Sequence, residues 1–170
     1  MTNETFRVLC VDDEPGLARL VATHLERDAD LDCETAVETR PDDALRRIER
    51  ESFDCVVSDY DMPRLTGVEL LSAAREADPD LPFLLFSATG PADIAAEMVR
   101  AGVSDYVSKR GGADGYTALL RRVKRTAAGE NGRFGARDAD DLTEADVALD
   151  GVCTVAPDGT FEFVGEEYGA

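Results

Sequence analysis

Five short apolar runs, each closing on a polar residue, pace this chain: Phe6–Val11, Cys33–Val37, Cys55–Val57, Phe83–Phe86 and Val103–Val107. Runs of this length, bounded by polar and turn-forming residues, read as buried strands. Between them the apolar residues switch to helical spacing. Leu17, Leu20, Val21 and Leu25 form one face, Ala44, Leu45 and Ile48 a second, and Val68, Leu70 and Leu71 a third. Further helices are predicted over Pro91–Ala101 and about Ala113–Ala127, the latter with Leu119, Leu120 and Val123 inward. Glu14-Pro15 opens the first helix with proline at a tolerated position, Thr66 is placed to cap the third, and Gly102 stops the fourth. Strand and helix alternating five times predict a doubly wound α/β fold, a five-stranded parallel sheet with helices on both faces.

Right-handed crossovers put every strand's carboxyl end on one edge, where open α/β sheets bind their ligands. The residues at those ends are Asp12 and Asp13, Asp59, Ser87, and Lys109. The second strand offers only Glu38 and Thr39, which suits a place at the sheet's margin. One aspartate at a strand end is ordinarily a loop or capping residue. Three carboxylates on one edge repel each other and call for a cation. All-oxygen ligands suit a hard divalent ion such as Mg²⁺, and the nearby hydroxyl and ammonium suit an anion on the same metal. The set is a phosphoryl site, with a carboxylate as the nucleophile that becomes an acyl phosphate.

Charge narrows the partners. The chain has 36 acidic and 18 basic residues, net −18, and only two of the basic residues are lysines. A field of that sign repels nucleic acid and anionic membrane surfaces. It also resembles the solvated acidic surface of a halophile's protein, where high salt screens the repulsion. No apolar stretch is long enough for a signal peptide or a membrane span, so a cytoplasmic location is expected. Cys10, Cys33, Cys55 and Cys153 lack metal-ligand spacing, and the first three fall in strand-like runs as small apolar residues. His24 is the only histidine, which leaves no histidine-based catalysis or metal cluster.

The residues up to about 128 resemble the receiver domain of two-component response regulators. The resemblance rests on Asp12-Asp13, on Asp59 within DYDMPRLTG, on Ser87-Ala88, and on Tyr106 three residues before Lys109. It implies a flavodoxin-like fold with strand order 2-1-3-4-5. It implies that Asp59 is the phosphoacceptor, taking a phosphoryl group from a sensor histidine kinase. It further implies that Mg²⁺ is bound directly by Asp13, Asp59 and the backbone carbonyl of Asp61, with Asp12 holding a metal-bound water. Lys109 would pair with Asp59 and then with phosphoryl oxygens. Ser87 and the Ala88 amide would bind the phosphoryl group, and Tyr106 would turn inward as Ser87 moves. The expected output face is the fourth helix, fifth strand and fifth helix, docking a downstream protein, with a homodimer also open. Such a module signals; it is not a turnover enzyme.

One position departs from the family. Arg110 follows Lys109 where proline is usual, so the loop is either re-routed through a trans bond, with Gly111-Gly112 absorbing the change, or strained.

Residues 129–141 are polar and glycine-containing and read as a linker. In 142–170, Val152–Val155 and Thr160–Val164 look like two strands joined by Ala156-Pro157-Asp158-Gly159. That pattern resembles the opening of a PAS domain, and the chain then reads as the amino-terminal part of a receiver–PAS protein; the bland reading is an acidic hairpin tail. Two other functions compete with the receiver. Asp59-Tyr60-Asp61 after an apolar strand loosely matches the nucleophile motif of haloacid-dehalogenase-type aspartyl phosphatases, with Asp140, Asp141 and Asp146 near its last motif. A degenerate receiver used only for protein contact is the other.

Overall fold

The computed structural model describes residues 5–129 and two further strands, 152–155 and 161–164. The elements run β1 Phe6–Val11, α1 Pro15–Arg27, β2 Cys33–Glu38, α2 Pro41–Arg50, β3 Cys55–Ser58, α3 Gly67–Ala77, β4 Phe83–Ser87, α4 Pro91–Ala101, β5 Asp105–Ser108 and α5 Ala113–Ala127. A one-turn 3₁₀ helix, Lys109–Gly111, joins β5 to α5. The five strands form one parallel sheet in the order β2-β1-β3-β4-β5. This is the doubly wound, flavodoxin-like arrangement expected.

Alternation along the strands sorts the core into two layers. Leu9, Val11, Val56, Phe83 and Leu85 face one side and pack with Ala44, Ile48, Leu70, Leu71, Ala74 and Met98. Val8, Cys10, Cys55, Val57, Leu84 and Phe86 face the other and pack with Val21, Leu25, Leu119 and Val123. So α2, α3 and α4 cover one face, and α1 and α5 the other. Every residue of β3 and β4 is buried, while β2 at the margin is half-exposed or exposed throughout. Central strands covered on both faces read as unbroken apolar runs, which is why they were the plainest in the sequence.

The ends of the elements follow local rules. Thr66 Oγ1 accepts the Glu69 amide at 3.2 Å and caps α3. Gly102 ends α4 in the left-handed region, φ 75°, with its amide on the Met98 carbonyl. The start of β5 differs from expectation. β5 starts at Asp105, because Val103 and Ser104 form the turn into it. There the Ser104 hydroxyl oxygen accepts the Phe83 amide at 3.0 Å, and the Ser104 amide donates to the Phe83 carbonyl at 2.9 Å.

Strands 152–155 and 161–164, β6 and β7, pair antiparallel with Val152 opposite Val164. The expected linker residues from 130 onward lie outside the described residues, as do Asp140, Asp141 and Asp146. No helix among the described residues is long and apolar enough to cross a membrane.

Candidate functional site

The sheet register builds the site. Val11 pairs with Ser58 across β1 and β3, so the next residues on each strand, Asp12 and Asp59, leave the sheet side by side. Two backbone bonds extend the ladder past the strand ends. The Asp59 amide donates to the Val11 carbonyl at 2.9 Å, and the Asp12 amide to the Glu38 carbonyl at 3.2 Å. The carboxylates are therefore aimed by hydrogen-bonded backbone. Carboxylate oxygens of Asp12, Asp13 and Asp59 lie within 4.8 Å of one another.

Asp12 is almost buried, at 4% exposure, and its Oδ1 accepts the Glu14 amide at 2.9 Å. Asp59 Oδ1 accepts the Tyr60 amide at 2.8 Å. Burial pushes the Asp59 carboxyl up from its usual value, and the neighbouring Asp12 charge pushes the same way. The Lys109 ammonium, the Tyr60 amide and a hydrogen bond from Ser87 oppose that rise. A carboxylate that is costly to ionise in the bare protein gains most from a cation beside it.

Lys109 is drawn in from the 3₁₀ turn. Its Nζ stands 2.6 Å from Asp12 Oδ2 and 3.6 Å from Asp59 Oδ2, and 5.6 Å over the Phe86 ring. The ammonium thus sits between the two aspartates, nearer to Asp12. Ser87, fully buried, ends β4 on the same edge, with its Oγ accepting the Thr89 amide at 3.1 Å. Asp61 is exposed in the loop past Asp59. Tyr106 packs against the α2–α4 side of the core, and its hydroxyl donates to the carbonyls of Ser87, at 3.3 Å, and Thr89. The Lys109–Arg110 peptide bond is trans, and Gly112 at φ 55° turns the chain into α5. Asp12, Asp13, Asp59, Ser87 and Lys109 therefore share one rim.

Two contributors were invisible in the sequence as site residues. Gly67 passes so close to the Asp59 loop that a Cβ there would stand 2.2 Å from the Asp59 carbonyl oxygen. Its own amide donates to the Tyr60 carbonyl at 2.8 Å. Arg110 reaches back to the β4–α4 connection, its Nε donating to the Ala88 carbonyl at 3.0 Å.

A family model of the response regulator receiver domain matches residues 8–121. The chain belongs to that family. Among its curated relatives is the response regulator protein FleR of Pseudomonas aeruginosa, 42% identical over 87 residues, or 51% of this chain and 18% of FleR. Another is the transcriptional regulatory protein TrcR of Mycobacterium tuberculosis, 31% identical over 156 residues, or 91% of this chain and 58% of TrcR. The chain thus spans less than two thirds of either relative. Among solved structures, the receiver domain of the Francisella response regulator 1452 superposes with a TM-score of 0.65 at 26% identity, over 74% of this chain and 99% of that one. The phosphatase alternative gains no support. The Asp59 strand is third in the chain, and the acidic pair that the phosphatase leaves idle lies in the same site as Asp59.

Proposed function

We infer that this receiver accepts a phosphoryl group on Asp59 from a sensor histidine kinase, and so works as a phospho-switch. The observation that supports it best is the gathering of the Asp12, Asp13 and Asp59 carboxylates with the Lys109 ammonium at one sheet edge. The donor set fits Mg²⁺: hard oxygens, close together, one of them on a carboxyl that burial disfavours as an anion. Asp13, Asp59 and the Asp61 backbone carbonyl would hold the ion, with Asp12 reaching it through water. When bound, it supplies charge neutralisation for the incoming phosphoryl oxygens.

The rest falls to the protein. An Asp59 oxygen attacks phosphorus while the phosphorus–nitrogen bond to the kinase histidine breaks, and the imidazole nitrogen keeps the electron pair. Lys109 leaves Asp59 for a phosphoryl oxygen, and Ser87 and the Ala88 amide donate to the others. With Ser87 and Thr89 linked to Tyr106, a shift of the connection moves Tyr106, and with it the face made by α4, β5 and α5. That face is the docking place for a downstream protein or a second copy of the chain. The receiver spans residues 1–128, followed by a linker at 129–141 and a PAS-like segment from 142. The acidic composition suits a cytoplasm of high salt and disfavours nucleic acid or membrane as a partner of this chain.

Labelling with acetyl phosphate and Mg²⁺ tests this. Wild type gains an alkali- and hydroxylamine-labile phosphoryl group, and Asp59→Asn gains none while keeping its fold. Equal labelling of the variant would overturn the assignment.

A further inference from the structure

Three successive carbonyls of the β4–α4 connection are held from the far side of the pocket. The Tyr106 hydroxyl takes those of Ser87 and Thr89, and Arg110 Nε takes the one between them, that of Ala88, at 3.0 Å. Both donors sit on β5 or the turn that follows it. Arg110 is fixed at its own end as well, its amide donating to Ser108 Oγ at 3.1 Å. The clasp therefore joins the turn that carries Lys109 to the connection that carries Ser87 and Ala88.

We propose that Arg110 is a positioning residue that holds the β4–α4 connection closed over Asp59 through the Ala88 carbonyl, keeping the Ser87 hydroxyl and Ala88 amide set for an oxyanion. This rests on the reading of Asp59 as phosphoacceptor. The Arg110 bond, at 3.0 Å, is braced on either side by the Ser87 and Thr89 carbonyls that the Tyr106 hydroxyl holds. A bond that favours the closed arrangement raises affinity for whatever the closed arrangement binds. Arg110 is exposed, so its loss leaves the core intact and acts on the local opening equilibrium. One such hydrogen bond shifts that equilibrium by roughly 2- to 10-fold.

The bland alternative is a surface arginine that acts only by its charge. Glutamine separates the two, because its amide nitrogen is attached to Cδ just as Nε is in arginine. Arg110→Gln keeps a donor in place and loses the charge; Arg110→Met loses both. The full chain, saturated with Mg²⁺, is titrated with beryllium fluoride, a phosphoryl mimic, and followed by the ¹⁹F signal and the Ala88 amide resonance. Arg110→Met should raise the half-saturating concentration roughly 2- to 10-fold, with Arg110→Gln close to wild type. Mg²⁺ affinity alone should shift by the same factor in both, since both lose one positive charge. Equal mimic affinity in the two variants, whether shifted or not, overturns the clasp. A wild type that takes up no beryllium fluoride at Asp59 removes the phosphoacceptor reading itself, and this inference with it.

Discussion

The α-carbon of Gly67 faces the main-chain carbonyl of Asp59, with room for hydrogen and nothing larger. An added methyl would also meet the Leu85 side chain at 2.8 Å, and the 2.2 Å approach to the oxygen is to backbone, which cannot swing aside. Gly67→Ala should push the start of α3 away from the Asp59 loop. The expected cost is about 2–3 kcal/mol in denaturant unfolding, in the range of core overpacking. Mg²⁺ affinity, measured by isothermal titration, should fall along with it. A variant with unchanged stability would show that the loop yields freely.

Asp59 carries a pH signature. Its folded value lies above the ordinary 3.8, so the folded state binds its proton more tightly than the unfolded chain does. Stability from this group is full below 3.8 and is lost as pH rises through the raised folded value. Asp59→Asn removes that loss. In EDTA at pH 7 the variant should melt above wild type, and the gap should close as pH falls towards 3.8. Mg²⁺ should raise the wild-type Tm by mass action and the variant's by less. Parallel melting curves at every pH would contradict the raised value.

A buried ion pair ties β5 to α5: Arg122 Nη1 lies 2.7 Å from Asp105 Oδ2, with both side chains nearly covered. Asp105 also accepts the Tyr106 amide at 2.9 Å. Removing one member leaves the other's charge with a weakened set of partners, which costs about 3–5 kcal/mol in buried pairs. Arg122→Ala should therefore destabilise far more than Arg64→Ala. Arg64 pairs with Asp42 across open solvent at 2.9 Å, and such pairs contribute about 0–1 kcal/mol. Urea midpoints of the two variants decide the point.

A net charge of −18 sets a salt response. Like charges are screened within about 3 Å at 1 M salt, against about 10 Å at 0.1 M. The Tm should climb steadily with KCl across that range. A flat profile would mean that the acidic surface is already neutralised by its local ion pairs.

The sequence carried the fold because the strands are short, apolar and punctuated by residues whose backbone preferences are strong. Pro15, Thr66 and Gly102 mark their boundaries by covalent geometry and capping alone. It carried the acidic cluster because topology brings strand ends together whatever the side chains are. What it did not carry depends on distances between segments far apart in the chain. The tightness at Gly67 exists only once α3 lies beside the Asp59 loop. The reach of Arg110 to Ala88 exists only once β4 and β5 are in register. The nearer approach of Lys109 to Asp12 than to Asp59 exists only once the turn after β5 lies beside the ends of β1 and β3. Val103 looks like a strand residue in the sequence, yet β5 starts at Asp105, and the Ser104 side chain holds the turn before it by accepting the Phe83 amide.

A parallel sheet also has a second rim. The segments that lead from helix back to strand, residues 28–32, 51–54, 78–82 and 102–104, all lie on the edge opposite the aspartates. None of them supplies a group to the pocket, so grafting a dye, a tag or relocated chain ends there would leave the reactive edge in its native shape. The molecule comes with a handle built in.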